Sequence, residues 1–278
     1  MAALGTALLW LVCATTFASM SGMTFGGIMV QVIAACAGAA VGALFPRAGT
    51  FLAYGALSLT YLLNNSPALG AILLIATALW WYYTGREDSA SSNGGLTFPL
   101  AGTCWLGPIT PLVAGMIERP THALGTTAFS LVIALALAGS WSSGVDLAAR
   151  TTLTMWPLGH LAVYGVPAIA QAELLTFLSQ PTVWITALSW LIAAFVFAFF
   201  RNWYGRGFAY IGAVFATAVL IAGIAGGALI SSMPIPVAPL VSVCVAGVIT
   251  IFAANLIPDE IEEDVEEPVE EDTRDLDD

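Results

Sequence analysis

Between residues 181 and 200 the chain reads PTVWITALSWLIAAFVFAFF, with no charged side chain. A helix of about 20 such residues is as long as the hydrocarbon core of a bilayer is thick, about 30 Å. Comparable runs occupy 4–20, 26–45, 121–139, 208–230 and 237–257. A chain built this way has no water-soluble core to form, because its solvent is lipid. Composition agrees. Of the 278 residues only 9% are charged and 59% are hydrophobic, against about 25% charged in a soluble domain. The run at 4–20 has no basic residue before it, so it reads as a span rather than a signal peptide.

The expected fold class is therefore all-α, a polytopic integral membrane helical bundle of 8–10 transmembrane helices. The range in that number comes from two stretches. The first is Leu96 to His122, LTFPLAGTCWLGPITPLVAGMIERPTH, where Pro99, Pro108 and Pro111 remove amide donors from an otherwise apolar run. Such a segment is either a kinked span or a re-entrant pair of short helices, since broken backbone at membrane depth must be satisfied by protein or by a water-filled cavity. The second is 159–179, which carries His160, Pro167, Gln171 and Glu173. Residues 141–158 between them read as interfacial, with Asp146 and Arg150 spaced as a helical i,i+4 pair.

All seven basic residues are arginines, and excess positive charge marks cytoplasmic loops. If neither ambiguous stretch crosses, Arg47, Arg86, Arg119, Arg201 and Arg206 face the cytoplasm and Arg150 does not. If both cross, Arg150 and Arg119 exchange sides. Both threadings place the N- and C-termini in the cytoplasm, and both describe a multi-pass protein of the cell membrane. Residues 50–63 and 67–83 read as a helical hairpin. Its second arm ends in Trp80-Trp81-Tyr82-Tyr83 and Arg86, the pattern of an aromatic belt at the headgroups. The polar run 84–95, with Glu87 and Asp88, reads as a flexible loop.

The net charge of −11 is concentrated in the last 20 residues, where thirteen acids meet a single base, Arg274. Residues 1–258 form the membrane domain and 259–278 a disordered acidic cytoplasmic tail, since a block of like charge repels itself. The tail offers a docking segment for a basic protein partner. The alternative is a solvated segment without one. The chain's principal partner is the lipid bilayer, and nucleic acid is not expected.

Small residues recur four apart at Gly38 and Gly42 and at Gly223 and Gly227. Such spacing lets helix backbones approach closely, either between copies of the chain or within one. Cys13, Cys36, Cys104 and Cys244 lie in apolar runs without metal-ligand spacing and read as buried thiols. With only His122 and His160 and no recognisable catalytic or metal motif, no catalytic residue, cofactor or metal is assigned. The candidate functional residues are the ionisable groups in or beside spans, which are costly there: Glu173, and the adjacent Glu118 and Arg119. The bland readings are an interfacial acid for Glu173 and a span-boundary pair for Glu118 and Arg119.

The segment WLGPITPLVAGMIERPTHALGTTAF, Trp105 to Phe129, resembles the C-terminal multi-span membrane region of some bacterial membrane-bound serine/threonine kinases and related zinc-ribbon proteins. The likeness continues loosely through 181–230. It implies a membrane module related to a signalling protein's anchor or sensor. It does not imply kinase activity, for the chain has no HRD or DFG motif and no lysine. The expected function is thus a non-enzymatic membrane anchor, sensor or scaffold, with a small-solute transporter or channel as the alternative.

Overall fold

The computed structural model describes residues 1–20, 25–63, 67–87, 89–102, 104, 106–138, 178–204, 206–232 and 234–254. Among them there are helices and turns and no strand. Helices α1 (Ala2–Met20), α2 (Phe25–Leu44), α3 (Pro46–Leu63) and α4 (Pro67–Trp80) form an N-terminal group. Three short helices follow, α5 (Ser89–Gly94), α6 (Thr97–Gly102) and α7 (Ile109–Ile117). Then come α8 (Pro120–Ala138), α9 (Pro181–Tyr204), α10 (Arg206–Ile230) and α11 (Val237–Ala254). Glu173, the Asp146 and Arg150 pair and the acidic tail lie outside the described residues.

Four helices are long and apolar enough to cross a membrane, Pro67–Gly85, Pro181–Asn202, Phe208–Ile230 and Val237–Ala254. Each leaves large apolar side chains exposed. On α9 the buried positions include Thr186, Ser189, Ala193, Ala194 and Ala198, while Trp184, Leu188, Ile192 and Phe195 are exposed. On α11, Val241, Val245, Val248 and Phe252 form an exposed stripe opposite Ser242, Ala246 and Thr250. Trp190 and Phe197 of α9 are buried beside the small residues, which let the helices approach closely. Several buried hydroxyls donate to carbonyls one turn earlier in their own helix, as in Ser58 to Tyr54 (2.8 Å) and Thr250 to Ala246 (2.8 Å).

The glycine spacings are used within the chain. A methyl group at Gly38 would press on Trp10, and one at Gly42 on Thr6 and the Ala2 carbonyl. Thr6 also donates to the Gly38 carbonyl at 2.7 Å. Gly223 lies against Ser189 in the α9–α10 pair. Four prolines start helices instead of bending them. Pro46, Pro67, Pro120 and Pro181 each stand at the first helical position, where no amide donor is needed.

Two sequence expectations need correction. Cys13 is buried, but Cys36, Cys104 and Cys244 are exposed: Cys36 and Cys244 lie on helices that bury other faces, and Cys104 lies in the turn after α6. The run 84–95 is not a free loop. Residues 89–94 form α5, and Ser91, Ser92, Gly94 and Gly95 are buried. Their small side chains let this segment enter the bundle, where Ser92 donates to the Pro46 carbonyl at 3.3 Å.

The interrupted stretch sits at the joint of the molecule. α7 packs on α9 and α11 of the C-terminal group and on α8, while α8 packs on both α4 and α9. With nine residues α7 is roughly 14 Å long, too short to cross a bilayer alone.

Candidate functional site

The joint is closed by a polar chain inside an aromatic cluster. α7 ends at Glu118, which is extended (φ −104°, ψ 163°). Arg119 precedes a proline and is steered away from helical geometry, so the chain must turn before α8 begins. The turn sends Glu118 inward and Arg119 outward. Glu118 is only 4% exposed, whereas Arg119 is exposed.

Oε1 of Glu118 accepts a hydrogen bond from the Thr126 hydroxyl at 2.9 Å. The Thr126 oxygen accepts from the indole N–H of Trp80 at 3.1 Å. An indole can only donate, so the hydroxyl's single hydrogen is directed at Glu118. The order Trp80 to Thr126 to Glu118 is thereby fixed. Gly94 lies across from the carboxylate, and a methyl there would stand 2.7 Å from Oε1. Glu118 also immediately precedes α8, whose N-terminal end is partially positive.

Trp80 is buried and closely surrounded. One face stacks on Phe129, and Gly85 and Gly95 occupy its surroundings so closely that either would clash with the ring if it carried a side chain. Tyr54 meets both rings edge-on and donates to the Gly95 carbonyl at 2.6 Å. This corrects the belt reading of residues 80–83. Tyr82 and Tyr83 are exposed and Arg86 caps the Tyr82 ring at 4.3 Å, as belt residues would. Trp80 belongs to the core.

What separates the two roles is a π-helical turn, Trp81–Gly85, closed by the Arg86 amide bonding the Trp81 carbonyl at 3.0 Å. The segment then runs beside the start of α8. Trp80 meets Thr126, Thr84 faces Gly125, and Glu87 pairs with Nδ1 of His122 at 3.2 Å. The last contact is at the surface, with the side chains 52% and 24% exposed. Further buried polar atoms without hydrogen-bond partners lie in the same segments, Asn93 Oδ1 and the hydroxyls of Thr97, Thr127 and Ser130.

Of the sequence candidates, Glu118 belongs to this site, Arg119 lies at its outer edge, and Glu173 falls outside the described residues. The sequence reading did not single out Trp80, Thr126, Glu87 or His122 as members of one site. The four-residue spacing of Glu118, His122 and Thr126 was the available signal. No group of three or more metal-ligating side chains occurs among the described residues.

No family model matches the chain, and no curated protein or solved structure does either.

Proposed function

We propose that this chain is a non-enzymatic, multi-pass protein of the cell membrane that acts as a sensor or scaffold module. Both termini are cytoplasmic in this reading, and the acidic segment 259–278 presents the surface for a basic protein partner. The observation that carries it is the burial of Glu118 at the joint of the two helix groups, bonded through Thr126 to Trp80. A change at this carboxylate is felt by α4 and α8 together, the coupling that a sensing module requires. The likeness of 105–129 to signalling-protein membrane regions points the same way.

One observation favours the alternative, a small-solute transporter or channel. The chain between α4 and α8 is discontinuous, with three short helices at the joint, and broken helices often build transporter sites. The two readings separate in proteoliposomes and native membranes. A module gives no solute flux and loses a cross-linked partner when 259–278 is deleted. A transporter gives flux that Arg119→Ala and Glu173→Gln abolish. A C-terminal reporter found outside the cytoplasm would overturn the threading.

A further inference from the structure

We propose that the acidic segment 259–278 folds back onto one end of its own helix bundle and docks on Arg47, Arg86 and Arg119. The inference goes beyond the sensor or scaffold reading, because it needs no other protein.

Contacts between the helices bring these arginines to one end. Thr84 faces Gly125 and Glu87 pairs with His122, so the chain leaving the π-helical turn meets the beginning of α8. Ser92 of α5 reaches the Pro46 carbonyl, and Phe51 packs on Trp81 at 4.9 Å between centroids, so α3 begins here too. Arg47, Arg86 and Arg119 are all exposed. Arg86 lies over the Tyr82 ring. Among the described residues none of the three has an ion-pair partner.

The C-terminal helices are directed to the same end. Pro108, Ser189 and Trp190 line one crevice, while Gly115 lies against Phe197 and Ala198. α7 and α9 therefore run in parallel, and Arg201 lies in the last turn of α9 at the end where α7 leads into Arg119. Arg206 opens α10 there. Leu220 and Val243 line the same crevice, and Gly247 lies against Thr217. α11 is thus antiparallel to α10, and its last residue, Ala254, is also at the arginine end. Among the described residues the opposite end has no charged side chain.

Segment 259–278, with thirteen acids and one arginine, begins five residues beyond Ala254. It therefore departs from the end that carries the opposite charge. Fully extended, its 20 residues reach about 65 Å. Packed helices lie about 8–10 Å apart, so the segment is long enough to cross the bundle end to all three arginines. An anionic membrane surface repels such a segment, whereas the arginine end attracts it. A basic partner that took the segment would free these arginines, and with them the turn between α7 and α8.

The test is limited proteolysis of the full chain, one copy per phosphatidylcholine nanodisc, by a glutamate-specific protease, with loss of the segment followed by mass. The expected result is cleavage several-fold slower in wild type than in the triple variant Arg47→Gln, Arg86→Gln, Arg119→Gln. Lys at the same three positions should restore the protection. Exposed ion pairs are weak and screened, so wild-type protection should also vanish near 1 M salt, where the Debye length is about 3 Å. A free peptide of 259–278 corrects for the effect of salt on the protease, and this comparison decides the matter should the Gln variant not fold. Wild type cleaved as fast as the Gln variant or the free peptide would leave the arginines to lipid headgroups and overturn the proposal. Protection that survives high salt overturns it too, as does protection seen only with two copies per disc, which would assign the surface to a second copy. The readout needs neither a partner nor flux, so it is independent of the sensor reading.

Discussion

The indole of Trp80 lies face to face with the ring of Phe129, the centroids 4.5 Å apart and the planes 7° from parallel. Tyr54 stands perpendicular to Phe129 at 4.8 Å and 84°. Helices α3, α4 and α8 are thus joined through three rings, an arrangement worth about 0.5–1.5 kcal/mol per ring pair beyond the area buried.

Gly95→Ala should disturb this cluster, because the added methyl would collide with the Trp80 ring. Overpacking of this kind costs about 1–3 kcal/mol. Gly55 is the matched control, with nothing within 4 Å of its virtual side chain. Gly55→Ala in the body of α3 should be neutral or stabilising by up to about 1 kcal/mol. Thermal unfolding of the two variants in the same detergent compares them, and equal melting temperatures would refute the account.

Thr126→Val keeps the shape of the side chain and removes both of its hydrogen bonds. The Trp80 N–H loses its acceptor and Glu118 loses a donor, at a cost of about 1–3 kcal/mol. Thr250→Val removes only a bond to the Ala246 carbonyl of its own helix and should cost less. Indole hydrogen bonding, followed by ultraviolet Raman spectroscopy, should change in the first variant alone.

The Glu87 and His122 pair is half exposed, so either Gln substitution should cost less than about 1 kcal/mol, and less still in high salt. A melting-temperature loss that persists undiminished in high salt would contradict this assignment.

Gly42→Ile should separate α1 from α2 within one chain, since the side chain would enter the space of Thr6 and Ala2. The expected outcome is a lower melting temperature at unchanged mass by light scattering in detergent. A stable protein that merely changes oligomeric state would show that the glycines serve contact between copies.

Much of the fold could be read from the chain. Apolar length located α1, α2, α4, α9, α10 and α11 to within a few residues, and the prolines marked the break before α8. Less of the site was legible. Glu118 and Arg119 are adjacent, and sequence cannot say that a turn before Pro120 sends one inward and the other outward. Trp80 looks like any aromatic at a span's end. Its burial depends on Gly85, Gly95 and Phe129, the last almost fifty positions away. Segment 84–95 looked like a loop because Ser and Gly are polar or flexible alone, yet their small volume is what lets them enter a crowded joint.

The π-turn at Trp81–Gly85 has a consequence for chain length. Such a turn accommodates one residue more than an α-helix needs over the same distance. Deleting a single residue there would let the helix continue as a regular α-helix, and no backbone hydrogen bond need be lost. Because the surplus residue is taken up inside the turn, the chain beyond it would keep its place. Arg86 would stay over Tyr82 and Glu87 beside His122, and Trp80, upstream, would not move. The turn is thus a local reservoir of length, where this segment can lose a residue without disturbing the chain that meets α8 or the aromatic core.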